Sequence, residues 1–225
     1  MTFPALLPTP RLAAKTPSSP RPIRQSLGFT LVEVLVAIMV LSFGMLGLVG
    51  MQAFALQSNR EARLQAQAAM LARELAEMMR GNKEVGVKTA TADNPYLVSL
   101  SSGSMVPATP SYCLSVGNAA TGCTSATDIA NAEMTDWLAR VDNTLPGARV
   151  VICFDSAPYD SNGIPRWACP PAGTNSNEIA VIKIGWTRNS TDRSKIGSDL
   201  LEQASSSTSV PYIIFPVTSG NASSI

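Results

Sequence analysis

Between Glu33 and Arg60 the chain carries no charged side chain for 26 consecutive positions, Val34 to Asn59, and most of these are apolar. About 20 such residues suffice to cross a bilayer as a helix, which satisfies its own backbone hydrogen bonds where no water can. A secretory signal would show a shorter apolar core and then small residues at a cleavage site. This run is too long, and its downstream edge Phe54-Ala55-Leu56-Gln57-Ser58 fits such a site poorly. The run is therefore expected to persist as a transmembrane helix over residues 29–56.

The helix does not stop at the end of that run. Gln52 to Arg80 is rich in Ala, Gln, Glu, Arg, Leu and Met and contains no proline, a composition of good helix formers. Leu64, Ala68, Leu71, Leu75 and Met78 recur at steps of four and three, the stripe of an amphipathic helix. Gly81 and Asn82 then supply a C-terminal stop. Residues 57–82 are thus read as the amphipathic half of one helix, roughly 80 Å long at ~1.5 Å per residue. Gly44, Gly47 and Gly50 weaken it, and they equally permit close helix packing in a membrane.

Upstream, residues 1–28 hold Arg11, Lys15, Arg21 and Arg24, no acid and six prolines. Such a stretch builds neither helix nor core and reads as a cytoplasmic tail or a removed leader. Its basic residues favour a cytoplasmic N-terminus, although Arg60, Arg63 and Arg73 follow on the far side. All four cysteines lie downstream of the span, as expected if that part meets an oxidising compartment. The expected topology is N-in, C-out.

Enzymatic chemistry has little to work with. The chain contains no histidine, the commonest general acid–base and metal ligand. It shows no nucleophile elbow, phosphate loop or clustered cysteines. Asp128 and Asp136 lie eight positions apart on an expected helix, too far for shared chemistry, and read as an N-terminal helix charge and a surface group. No catalytic residue, metal site or cofactor is expected. With a net charge of +1 and no basic stripe, no nucleic-acid partner is expected either.

The junction Ser26-Leu27-Gly28-Phe29-Thr30-Leu31-Val32-Glu33-Val34-Leu35-Val36-Ala37 resembles the prepilin-type cleavage and methylation motif: a glycine, then Phe-Thr-Leu, a hydrophobic residue, Glu and an unbroken apolar helix. The resemblance implies that a prepilin peptidase cuts between Gly28 and Phe29 and methylates the new Phe29 amine. It also implies that Glu33 is the acid used during assembly. An acid inside an apolar helix is unfavourable, by roughly 2.5–3.5 kcal/mol at a bilayer centre and less toward the interface. A neighbouring subunit's Phe29 amine would offset part of that in one register, making Glu33 a positional key. A leader of 28 residues exceeds the few usual for type IV prepilins, and Gly50 stands where many pilins carry a helix-breaking proline.

Residues 83–225 are expected to form the exposed head. Lys83 to Pro110 reads as a loop-rich connection with a short extended piece at Tyr96 to Leu100. A helix is expected from about Thr127 to Asn143, capped by Ser125 or Thr127 and ended by Leu145-Pro146-Gly147. Met134, Trp137, Leu138 and Val141 share one of its faces. Strands are expected at Ala148 to Phe154, Glu178 to Thr187 and Val210 to Val217, with Ala180, Ile182, Ile184 and Trp186 alternating onto one face. A small antiparallel sheet against the Leu64/Leu71/Leu75 stripe gives an α+β fold.

Four cysteines permit three pairings. Cys113–Cys123 and Cys153–Cys169 are favoured because each closes a short loop, as staples contributing roughly 2–4 kcal/mol apiece. Trp137 and Trp186 read as core and Trp167, in the 165–171 loop, as a surface residue. Arg188 to Arg193 and the Ser-rich 204–209 read as solvated loops, and the tail after Pro216 carries too little apolar content to predict order.

The order Cys113, Cys123, Ala126, Asp128, Asp136-Trp137, Leu145-Pro146-Gly147, Val150-Val151-Ile152-Cys153 and Ile182-Lys183-Ile184-Gly185-Trp186 is similar to the PilV family of type IV pilus minor pilins, the pilus modification proteins. That resemblance implies a partner set of other minor pilins, the major pilin, prepilin peptidase and a tip adhesin. It implies residence in the inner membrane, then at the pilus tip, and a role in priming assembly for adhesion and twitching motility. A minor pseudopilin of a type II secretion system shares the N-terminal features and is the alternative.

Overall fold

The computed structural model describes residues 28–170, 179–190, 192 and 194–218. Residues of the leader up to position 27, the start of the second expected strand at Glu178, and the tail from Ser219 lie outside them. The chain divides into two compact units, one ending at Met51 and the other beginning at Gln52.

In the first unit, residues 28–30 are non-helical and helix α1 (Leu31–Gly81) begins. Every residue from Leu31 to Met51 is exposed. The Ser42 hydroxyl donates to the Ile38 carbonyl at 2.7 Å, so the one hydroxyl in this apolar stretch of α1 is satisfied by its own helix.

In the second unit α1 continues to Gly81, where the Asn82 N–H still donates to the Met78 carbonyl at 2.9 Å. The Asn82 side-chain amide donates to the Ala126 carbonyl at 2.7 Å, tying the end of α1 to the start of a later helix. A four-residue helix α2 (Lys83–Gly86) follows, inside the stretch read as a loop. Tyr96 and Leu97 are buried, but strand β1 is confined to Ser99–Ser101, shorter than the expected extended piece.

Helix α3 (Ala126–Thr144) is capped by Ser125, whose hydroxyl accepts from the Asp128 N–H at 3.0 Å. The Asp128 carboxylate in turn accepts from the Thr124 N–H and hydroxyl, a charge well placed at a helix N-terminus. Met134, Trp137, Leu138 and Val141 are all fully buried. Gly147, at φ +57, turns the chain into the sheet, a conformation that costs glycine little.

Strands β2 (Arg149–Asp155), β3 (Ile179–Gly185) and β6 (Ile213–Val217) join β1 in an antiparallel sheet of order β1-β2-β3-β6. Val151 pairs with Lys183, and Cys153 with Val181. A separate ribbon pairs β4 (Arg188–Asn189) with β5 (Leu201–Glu202). Because side chains alternate along a strand, Val150 and Ile152 share the inner face with Ala180, Ile182 and Ile184. There they form one core with Ala68, Leu71, Leu75 and Met79 of α1 and Trp137 of α3. The fold is α+β.

The helices α1 and α3 are locked together by polar contacts as well. The Trp137 indole donates to the Leu71 carbonyl at 3.0 Å, and Arg140 forks onto both oxygens of Glu74 at 2.7 and 2.6 Å.

The outer face of the sheet carries the corrections. Trp167, expected at the surface, is only 9% exposed. It packs where a side chain at Gly185 would stand, 2.9 Å from an added Cβ, with Arg149 4.4 Å above its ring. Its indole donates to the Ser209 hydroxyl at 3.1 Å. The Ser-rich segment is therefore not simply solvated: Ala204 is fully buried, and Ser209 donates to the carbonyl of Ala204. Arg188, likewise expected in a loop, sits in β4, bonds Glu202 at 2.9 Å and lies 4.0 Å over the Tyr212 ring. Both faces of the central strands are covered, one by helices and one by loops.

Candidate functional site

The chemistry-bearing residues of the N-terminal junction lie where the helix begins. Thr30 is its N-cap: the hydroxyl accepts from the Glu33 N–H at 3.3 Å, and the Thr30 carbonyl accepts from Val34 at 3.3 Å. This is one half of a Thr-x-x-Glu capping box, a signal carried by the local sequence Thr30-Leu31-Val32-Glu33. Gly28 and Phe29 precede the cap, exposed and non-helical. Glu33 falls in the first helical turn, where the helix dipole favours an acid. Among the described residues its carboxylate meets no cation.

Behind Glu33 runs an apolar surface that no other described residue covers. Phe29, Leu31, Phe43, Leu46 and Met51 are all at least 69% exposed. An 18-residue window of α1 is apolar enough to cross a membrane, and none of it is buried in the molecule. A core helix of a soluble domain would be covered. Gly44, Gly47 and Gly50 have open space around them.

In the head, Cys113 is bonded to Cys123 and Cys153 to Cys169. The first closes an exposed loop beside α3; the second ties the end of β2 to the loop over the outer face. Cys153, Asp155 and Cys169 bring their ligand atoms within 4.8 Å, but bonded sulfurs offer no thiolate for a metal. Asp155 is moreover taken by Lys183, at 2.5 Å, with both side chains fully buried. Nothing in the sequence reading pointed to this pair, because a lone lysine in an apolar strand gives no hint of its partner.

An open cleft of about 780 Å³ lies between Gln57–Gln65 of α1 and Thr187–Ser190. One Glu61 carboxylate oxygen in it is buried without a hydrogen bond. Arg60 and Arg188 also line the cleft, and Arg188 is held by Glu202 and Tyr212. Elsewhere Tyr96 donates to Glu133. Burial, and then the adjacent carboxylate, push the Tyr96 phenol well above its ordinary range, and burial pushes Glu133 up. Asp128 serves a helix cap and Asp136 pairs with Arg140 at 2.9 Å. The two acids work apart.

Residues 23–49 match the prokaryotic N-terminal methylation motif, and residues 50–135 match the family described as Type IV pilin Tt1218. No curated protein and no solved structure shows significant similarity to the chain. The two matches abut, and they cover the cap, the apolar helix, the amphipathic stripe and the first half of α3, up to Thr135. The chain is a type IV pilin that carries a prepilin-type N-terminal methylation motif.

Proposed function

We propose that this pilin is a minor subunit of a type IV pilus, built to be cut, inserted and passed into a fibre. In this reading prepilin peptidase cleaves between Gly28 and Phe29 and methylates the Phe29 amine. The protein waits in the inner membrane through residues 29–56, N-terminus in the cytoplasm. It then joins other minor pilins and the major pilin, primes assembly and stands at the tip, where it helps present an adhesin.

One observation carries the proposal: an apolar helix surface that the described residues leave uncovered, with a single acid in its first turn and, among those residues, no cation beside it. Lipid covers the apolar part before assembly and neighbouring helices cover it afterwards. A neighbouring Phe29 ammonium then supplies the missing charge, and the low dielectric between packed helices strengthens that attraction. The head, stapled by two disulfides, is a rigid surface for neighbours and needs no catalytic group.

The test is replacement of Glu33 by Gln, which keeps shape and removes charge. Membrane insertion and head folding are expected to be unchanged, while recovery in sheared pili falls about ten-fold or more, as for any lost pairing of ~1.4 kcal/mol. Pili that incorporate Glu33→Gln as well as the parent would remove the assembly role.

A further inference from the structure

Lys183 stands in the middle of the outer face of the sheet and is fully buried. A buried ammonium is tolerated only when its donors are satisfied, and these donors have a particular set of acceptors. Lys183 meets Asp155 Oδ2 at 2.5 Å, the Ala168 carbonyl at 2.7 Å and the Trp167 carbonyl at 3.5 Å. Asp155 lies two residues after Cys153, and Ala168 immediately precedes Cys169. One cation, delivered from β3, therefore bridges the two segments that carry the bonded sulfurs. The second Asp155 oxygen accepts from the Ala157 N–H at 2.8 Å, fixing the carboxylate at the mouth of the loop.

Loop length already favours the native pairing, with loops of 10 and 16 residues against 30 and 56 or 40 and 46 for the alternatives, since each doubling of a loop costs about a three-fold factor. That preference acts on the reduced chain as a whole and does not itself bring the Cys153 and Cys169 sulfurs face to face. We propose that Lys183 is a positioning residue for oxidative folding: its ammonium draws Asp155 and the 167–168 carbonyls together before the sulfurs are joined, and so directs Cys153 to Cys169.

With glutathione disulfide as oxidant, one cysteine thiolate first displaces a reduced glutathione to form a mixed disulfide. The second thiolate then attacks that sulfur and displaces another. Two cysteine thiols lose two protons and two electrons, and one glutathione disulfide becomes two thiols. Lys183 takes part in no bond change; it sets the distance over which the second attack occurs.

The test uses the full chain in detergent micelles, reduced and unfolded, then renatured in a glutathione buffer. Samples are quenched by alkylation over time and their disulfides mapped by mass spectrometry. Lys183→Met keeps the length and apolar stem and removes the donors. The Cys153–Cys169 link is expected to form about ten-fold more slowly, in line with the loss of charge-assisted hydrogen bonds, with non-native links from Cys153 or Cys169 appearing. Cys113–Cys123, away from Lys183, should form at the parental rate and serves as an internal control. Val151→Ala, on the same buried face, should weaken the fold without changing the pairing. Parental rates and pairing in Lys183→Met would overturn the proposal. So would equal scrambling of both disulfides, or the same shift in Val151→Ala, since either would mean that general destabilisation is responsible.

Discussion

Leu75→Ala isolates the contact between helix and head. Leu75 is fully buried in the core that α1 shares with α3 and the sheet. Truncation removes about three methylene equivalents, or ~2.4 kcal/mol of transfer free energy at ~0.8 kcal/mol each. The cavity adds ~24 cal/mol per Å³ of void that remains. Ala72 and Ala76 are too short to fill the void, but Leu71 and Met79, one turn away on the same face, can swing part of the way into it. The total should therefore fall within the ~2–5 kcal/mol range for such truncations. Met70, on the same helix but 62% exposed, provides the control: Met70→Ala should stay within ~0.5 kcal/mol. Helix propensity cannot explain a difference, since both changes install the best helix former. All three tryptophans lie in the head, so denaturant unfolding of the full chain in mild detergent, followed by tryptophan fluorescence, reads head stability. Equal effects of the two substitutions, or a Leu75→Ala effect below ~1 kcal/mol, would refute the packing argument.

Three further substitutions address the polar interior. The Tyr96 phenol is raised by burial and by Glu133, so its folded-state contribution is complete below pH ~10 and is lost as the pH rises beyond the unfolded value. Stability measured against pH should thus fall above pH ~10, less steeply in Tyr96→Phe; Tyr212, also raised mainly by burial, preserves part of that slope. Trp137→Phe forfeits the bond to the Leu71 carbonyl, whereas the Trp186 indole N–H is buried without a partner among the described residues. Trp137→Phe should therefore be more destabilising than Trp186→Phe by about 1 kcal/mol in chemical denaturation.

Much of this architecture is written in local pattern. The charge-free run and the stripe through Leu64, Leu71 and Leu75 foreshadow α1 to within two residues at its start and one at its end. Alternation through Ala180, Ile182 and Ile184 foreshadows the inner face of β3. Such signals are legible because each depends only on periodicity against one core. The outer face was not legible, because its cover is assembled from loops. Trp167 looks exposed beside Pro165, yet it fills the space left by Gly185, a residue 18 positions away whose lack of a side chain matters only once the chain has folded. The Arg188–Glu202 and Lys183–Asp155 pairs are of the same kind: charge in a strand or loop suggests solvent until a distant partner is brought to it. At the N-terminal junction, motif and cap were both local; the partner proposed for Glu33 belongs to another subunit and is outside the reach of one chain.

The most direct measurement is the mass and sequence of the N-terminal peptide of the protein recovered from membranes of an expressing cell that also makes its pilus. The account predicts a chain starting at Phe29 with one methyl group on its amine. A chain still starting at Met1, or cut elsewhere, would contradict it.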